Sequence, residues 1–339
     1  MDGGKLRTLR QQLRLSQSEM ADALNTVLER SYDKPRVSRW ENAREPIPEE
    51  VAHAAAGLVN GQPRHARILI LANQKGGVGK TTSAVNLACG LARRGARVLL
   101  VDLDPQATAT VAMMASGSVD AYRQGRTMAH VILRDLPLEQ AIYGQDSPLL
   151  VARGGFDLVP SHIDLAETDG RREPGFDVAL REALEVARER YDFIVLDAPP
   201  NLGMLTVMGL AAADEVIIPV RTEPYDSMGV GLILGTISKV QRRLNPALRL
   251  SGILPTQFGA RKSVDREVLE HLAAVMAGKA PVLEPVQASA AFGHAARNGR
   301  IALEASPSSA AAVYGRLAAA LVTGSALPYA NLVPQPVEA

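Results

Sequence analysis

The sequence is poorest in the residues that staple or stack a chain. It has one cysteine, Cys89, in 339 residues. That excludes a disulfide framework and a multi-cysteine metal or iron–sulfur centre within one chain. Aromatics make up 4%, with a single tryptophan, so aliphatic side chains must fill the core. Charge of one sign is missing too: 37 basic residues face 36 acidic ones, for a formal net charge of +1. Bulk charge therefore names no nucleic-acid partner, and only local basic clusters can do so. No run of about 18 apolar residues occurs, which argues against a membrane-spanning helix. The opening stretch MDGGKLRTLRQQLRLSQ is charged throughout, unlike a secretory signal. The expectation is a cytoplasmic protein with no membrane partner.

What is present is enough for one large domain and a small one, with 47% hydrophobic residues. The chain changes character near residue 61. Before it, short polar helical patterns dominate. After it, the buried-strand runs ILILAN (68–73), RVLLVD (97–102), FDLVPS (156–161), DFIVLDAPP (192–200), DEVIIPV (214–220) and LSGILPT (250–256) alternate with helical patterns such as 174–190. Continuous apolar strands between amphipathic helices predict an α/β fold: a mostly parallel sheet with helices on both faces, preceded by a small all-α domain. The expected divisions are 1–60, a linker at 61–66, a large domain at 67–325 and a tail at 326–339. The tail's prolines predict no regular structure there.

The first of these strands runs into Lys75-Gly76-Gly77-Val78-Gly79-Lys80-Thr81-Thr82, and a helix with an apolar face at Ala84, Leu87, Ala88 and Leu91 follows. Strand, glycine loop and helix are the context of a phosphate cradle. Glycines let backbone N–H groups turn toward an anion, and the helix N-terminus adds partial positive charge. Residues 76–82 would hold the phosphates of ATP, with Lys80 on the β- and γ-phosphates and the Thr81 hydroxyl on Mg²⁺. The run FIVLDAPP ends in Asp197, a carboxylate after apolar residues, suited to hold Mg²⁺ through water. In VLLVDLDPQ, Asp102 and Asp104 alternate along a strand and are expected to face opposite ways, one to the phosphates and one to the fold.

The second lysine, Lys75, together with DLDPQ and DAPP in this order, resembles the deviant Walker A motif of the ParA/MinD family. LVPSHIDLAETD (158–169) and VIIPVRTEP (216–224) are also similar to ParA segments, so the resemblance covers about residues 67–322. It implies that Lys75 crosses to the phosphates of a second subunit's nucleotide, in an ATP-dependent homodimer. It implies that Asp104 positions the attacking water, which makes Lys75, Lys80 and Asp104 the catalytic set. The last helix pattern carries one arginine, unlike the basic membrane helix of MinD-like relatives. The ParA branch implies nonspecific DNA binding by the dimer and a ParB-like centromere-binding partner that stimulates hydrolysis. Arg261 and Lys262 stand where that family has a DNA-contacting arginine after the sixth strand. The family's PRNVR-like segment is not matched, as Ala290 stands near its place. Arg297 and Arg300 downstream are DNA candidates or solvated helix charges.

The front segment offers Ser16 as a helix N-cap with Glu19 completing a capping box, and Pro35 suited to a first helical position. SQSEMADAL and VSRWENARE resemble the helix-turn-helix of the Cro/phage-repressor class. That places Val37 and Trp40 inward, sets Arg36, Ser38 and Arg39 toward the major groove, and puts Gln17 at the groove edge beside phosphate. The connection at 25–35 is longer than the tight turn of that class, lengthening the turn or the helices. Residues 1–60 hold nine basic and nine acidic residues, which also suits a helical protein-interaction module. Together these resemblances imply a nucleoid-associated partition ATPase for plasmid or chromosome, with a front domain reading an operator. The competing expectation is a nucleotide-sensing transcriptional repressor.

Overall fold

The computed structural model describes residues 2–13, 15–28, 30–48, 50–52, 54–55, 58, 65–223, 229–305 and 309–330. Residues 61–64 of the expected linker, Pro224 of the segment 216–224 and residues 331–339 of the tail lie outside the described residues. The chain divides into two compact units between residues 63 and 64.

The front unit is built on α1 (Gly3–Gln12), α2 (Gln17–Leu28) and α3 (Lys34–Glu41). Its local chemistry follows the sequence closely. The Glu19 N–H donates to Ser16 Oγ at 3.2 Å and the Ser16 N–H donates to the Glu19 carboxylate at 2.7 Å, the reciprocal bonds of a capping box. Val37 and Trp40 are fully buried and pack with Leu6, Met20 and Leu24. The extra length of 25–35 lengthens α2 to Leu28 and forms a loop after it. Asn25 pins that loop: its amide donates to the Tyr32 carbonyl at 2.9 Å and its Oδ1 accepts from the Tyr32 N–H at 2.6 Å. Pro35 sits one place later than expected. Asp33 is the N-cap, accepting from the Arg36 N–H, so Lys34 takes the first helical position. Proline is tolerated there because that N–H has no intrahelical acceptor in any case.

The large unit carries six strands among the described residues: β1 (Arg67–Leu71), β2 (Val98–Asp102), β3 (Asp157–Val159), β4 (Phe193–Asp197), β5 (Glu215–Arg221) and β6 (Arg249–Thr256). They form one sheet in the order β3-β2-β4-β1-β5-β6, and every pairing is parallel. The two-residue pleat divides the strands between two cores. Ile68, Ile70, Leu99 and Val101 enter one core, and Leu69, Leu71, Val98 and Leu100 the other. The second core is covered by α4 (Lys80–Ala92), α5 (Thr108–Met114) and the last helix, Ser309–Thr323, which packs along α4. Cys89 is buried in α4, as its apolar pattern implies.

Three expectations need correction. The helix expected at 174–190 starts later, because Gly175 is left-handed and a single 3₁₀ turn, Phe176–Val178, precedes Ala179–Arg188. Strand β2 stops at Asp102, so Asp104 lies in the turn beyond it and strand alternation does not set its direction. The start of the tail is paired: Tyr329 bridges antiparallel to Leu283, and the Ala330 N–H donates to the Val282 carbonyl at 2.9 Å.

Candidate functional site

The C-terminal ends of β1, β2, β4 and β6 converge on the glycine loop, the side on which open α/β sheets bind ligands. Asn73 anchors the entry to the loop, its amide donating to the Pro219 carbonyl at 2.7 Å and its Oδ1 accepting from the Lys75 N–H at 3.1 Å. Gly77 and Gly79 take φ of +72° and +83°, a conformation that glycine adopts without steric cost. The loop is then bolted to the end of β6. The Thr256 hydroxyl donates to the Val78 carbonyl at 2.9 Å, and the Gln257 amide donates to the Gly77 carbonyl at 2.8 Å. Peptide planarity turns the following N–H groups, of Val78 and Gly79, the opposite way. Gln257 reaches across from a left-handed conformation of its own, φ +55°. Thr81 and Thr82 follow Lys80 in the first turn of α4.

Lys80 is 6% exposed, and its ammonium donates to the Lys75 carbonyl at 3.0 Å, closing the loop on itself. Burial lowers its pKa, opposed by the carboxylates of Asp197 and Asp104. Lys75 is half-buried at the loop's start.

Asp197 ends the central strand β4, in register with Asp102 of β2 and Leu71 of β1. Both aspartates are fully buried, and their surroundings differ. Asp102 accepts from the Asp104 N–H at 3.0 Å, the Thr110 N–H at 2.9 Å and the Thr110 hydroxyl at 2.7 Å. It is the brace of the turn. No hydrogen bond of ordinary geometry reaches either oxygen of Asp197 among the described residues, although the Thr81 hydroxyl stands near enough to favour the charged form. Burial, then the charge of Asp102, pushes the Asp197 carboxyl well above the usual range, while Thr81 and Lys80 pull it back. An orphaned buried carboxylate is costly unless something else satisfies it. The described residues contain no cluster of three or more His, Cys, Asp or Glu able to cage a metal. An ion here would have to share its coordination with a hydroxyl, waters and phosphates, which is how Mg²⁺ is held. The donor set therefore fits Mg²⁺ bound together with a nucleotide.

Asp104 is 8% exposed. Its Oδ1 accepts from the Gln106 N–H at 3.0 Å, and its carbonyl accepts from the Ser161 hydroxyl at 2.6 Å and the Ala107 N–H at 2.7 Å. Its backbone is thus fixed, and Oδ2 stays outside these bonds. Hydrogen bonding, rather than strand alternation, is what separates the two aspartates.

A cavity of about 300 Å³ opens beside the loop, lined by Gly79, Thr82, Gln257, Gln287, Phe292 and Tyr314 among others. The Tyr314 hydroxyl lies 2.9 Å from Ser83 Oγ of α4. Nothing in the sequence pattern points to this wall. Its residues come from four separated segments, and no spacing joins them.

In the front unit Arg36 and Arg39 are exposed on α3, and each pairs with Glu45, at 2.9 and 3.1 Å. Ser38 is half-buried, and its carbonyl accepts from the Asn42 N–H. Gln17 turns inward: its amide donates to the Glu41 carboxylate at 2.9 Å. Arg10 grips the same carboxylate with two nitrogens, at 2.6 and 3.1 Å. Glu41 is buried, and these bonds hold its carboxyl below the usual range against the opposing effect of burial. In the large unit Arg261 is exposed in the turn after β6. Arg297 and Arg300 are exposed at and beyond the end of the helix Ala290–Arg297.

Comparison with known proteins agrees with both units. Residues 66–250 match a family described as an AAA domain, and residues 3–66 match a helix-turn-helix domain. The chain is 45% identical over 208 residues to the chromosome-partitioning ATPase Soj of Thermus thermophilus, covering 61% of this chain and 76% of Soj. It is 42% identical over 207 residues to an uncharacterised protein of Mycobacterium tuberculosis, spanning 62% of that protein's length. A Mycobacterium smegmatis protein described as cobyrinic acid a,c-diamide synthase, solved with ADP and magnesium, superposes with a TM-score of 0.66 at 34% identity. That match covers 79% of this chain and all of the other.

Proposed function

The chain belongs to the ParA family of partition ATPases, with a helix-turn-helix domain in front, and from that premise we propose that it hydrolyses ATP as a DNA-bound homodimer in plasmid or chromosome segregation. The buried, unpartnered Asp197 beside the phosphate loop is the observation that carries the reading. A carboxylate left without partners in a core is kept for a ligand rather than for stability.

In this reading the N–H groups of Gly76 to Thr82 cradle the phosphates, and the Lys80 ammonium exchanges the Lys75 carbonyl for phosphate oxygens. Thr81 and Asp197 hold Mg²⁺, which when bound neutralises charge on the phosphates. Asp104, fixed by Ser161 and Ala107, orients the attacking water. Lys75 reaches the nucleotide of a second chain, as an arginine finger does elsewhere. The cavity walled by Gln257, Gln287, Phe292 and Tyr314 receives the base, its lining combining amide side chains with aromatic rings. The closed dimer binds DNA nonspecifically, with Arg261 a contact, until a ParB-like partner stimulates hydrolysis. The front domain reads an operator through Arg36, Ser38 and Arg39. Gln17 supports that helix through Glu41 in place of the phosphate contact its position first suggests.

The test compares two lysines. Lys80→Ala should lose nucleotide binding. Lys75→Ala should keep ATP binding and lose ATP-dependent dimerisation and turnover, read by sizing with a slowly hydrolysed analogue. Normal dimerisation and turnover by Lys75→Ala would sink the assignment.

A further inference from the structure

Two glutamates close to each other in sequence serve different ends in the front unit. Glu41 is buried and saturated by Arg10 and Gln17. Glu45 is not needed for that core. Its side chain is 28% exposed, and its carboxylate takes Arg36 on one oxygen and Arg39 on the other. Those two arginines keep 44% and 46% of their side chains in solvent, on the helix that the operator reading places in the major groove.

The backbone explains how Glu45 arrives there. After α3 the chain turns through Ala43, at φ +54°, with the Ala43 N–H donating to the Trp40 carbonyl at 3.1 Å and the Arg44 N–H to the Arg39 carbonyl at 2.9 Å. That reversal carries residue 45 back over the helix it has just left. Arg36 is further steadied by ring faces, its guanidinium carbon 5.8 Å from the centroids of both Tyr32 and Trp40. The result is a carboxylate bridging two cations on a DNA-facing surface.

We propose that Glu45 is the positioning residue that sets the DNA selectivity of the front domain, by holding Arg36 and Arg39 away from indiscriminate phosphate contact. The inference rests on the operator reading of that domain. A passing duplex meets one net positive charge at this triad instead of two, and Glu45 itself repels phosphate. Each further phosphate that the protein neutralises would add about 0.9 to the salt slope of binding, so masking two arginines suppresses nonspecific affinity. A matched site overcomes the masking, because arginine bonds to guanine O6 and N7 are directional and bidentate, and the carboxylate can itself accept from cytosine N4. Glu45 therefore separates right from wrong sequence by weakening the wrong one.

The test uses the full chain without nucleotide, which silences the ATP-dependent mode. A duplex selected from a random library by the parent protein is titrated beside a scrambled duplex at several salt concentrations. Glu45→Gln, which keeps shape and removes charge, should bind the scrambled duplex about tenfold more tightly, with a salt slope steeper by about one to two. Binding to the selected duplex should change less, so the preference narrows. In an Arg36→Ala, Arg39→Ala background the same substitution should keep only the small gain from losing the repulsion of Glu45 itself, well below the tenfold change, a result that a purely structural role would not produce. If the parent enriches a sequence but Glu45→Gln leaves affinity ratio and slope unchanged, or weakens both duplexes equally, the proposal falls and the operator reading stands. If the parent enriches no sequence, the operator reading falls and the proposal with it. Unchanged Trp40 fluorescence confirms that each variant's front unit is folded.

Discussion

Lys80 keeps its ammonium in its own loop, 6% exposed and donating to a backbone carbonyl, whereas Arg36 and Arg39 hold nearly half of their side chains in water and share the partly exposed Glu45. In the proposed function both surfaces meet phosphate or its neighbours. The loop is fixed by glycine dihedrals, by Thr256 and Gln257 on its carbonyls, and by Asn73 at its entry. Its ligand never varies, so its donors can be set in advance. In the operator reading, the recognition helix has to tell one sequence from another, and cations held reversibly would suit that task. Preorganisation suits an invariant ligand, and competition suits a variable one.

The largest test of this contrast is Asp104→Ala. It should leave the cradle intact and lower turnover by about 10²- to 10⁴-fold, with nucleotide and DNA retained. Prompt single-turnover hydrolysis would move the water-orienting role elsewhere. Next, Arg10→Ala should destabilise the front unit by about 3 kcal/mol, since it strips the main partner from buried Glu41. Trp40 is the only tryptophan and lies in that unit's core, so its fluorescence during urea unfolding reports the front unit alone. ATP binding by the same variant should be unchanged. An equal loss of both would mean that the two units do not behave independently.

Asp197→Asn probes the preorganised side from below. The Asp197 carboxyl is held above its ordinary value in the ligand-free fold. The fold then binds a proton more tightly than the unfolded chain does, so stability drops as pH rises from roughly 4 toward the raised value. The asparagine should flatten that drop and raise the ligand-free melting temperature by a few degrees at neutral pH. It should also abolish magnesium-dependent nucleotide binding. A ligand-free melting temperature lower than the parent's at neutral pH would show that the carboxylate is satisfied after all. Gln257→Ala removes one hydrogen bond to the loop, about 1 kcal/mol, and should weaken nucleotide binding about fivefold. The smallest effect is Ala43→Gly. Relief of the left-handed alanine should stabilise the front unit by about 0.5 kcal/mol, read as a later urea midpoint of Trp40 fluorescence.

Much of the architecture was legible because periodicity and punctuation agreed. Six apolar runs became six strands, and the capping box at Ser16 formed as its spacing implies. The phosphate loop was legible for the same reason, being a local motif between a strand and a helix. Groups meeting only in three dimensions were not. Thr256 and Gln257 reach the loop across about 180 residues of sequence, and Tyr314 meets Ser83 from farther still. Gln17 was read from its place in a motif, which fixes a helix position and leaves the side chain's direction to its neighbours. Glu45 escaped notice because a charged residue after a helix looks like solvent-facing filler until Ala43 folds it back.

The packing of Ser309–Thr323 against α4 also imposes an order in time. Ribosomes deliver the phosphate loop more than two hundred residues before the helix that supports it. During synthesis α4 emerges with one apolar flank bare, and neither Thr256 nor Tyr314 yet exists to brace it. A nascent or C-terminally cut chain can thus carry the whole glycine motif and still lack a finished cradle. Completion of the cradle therefore waits for Tyr314 and the helix that carries it.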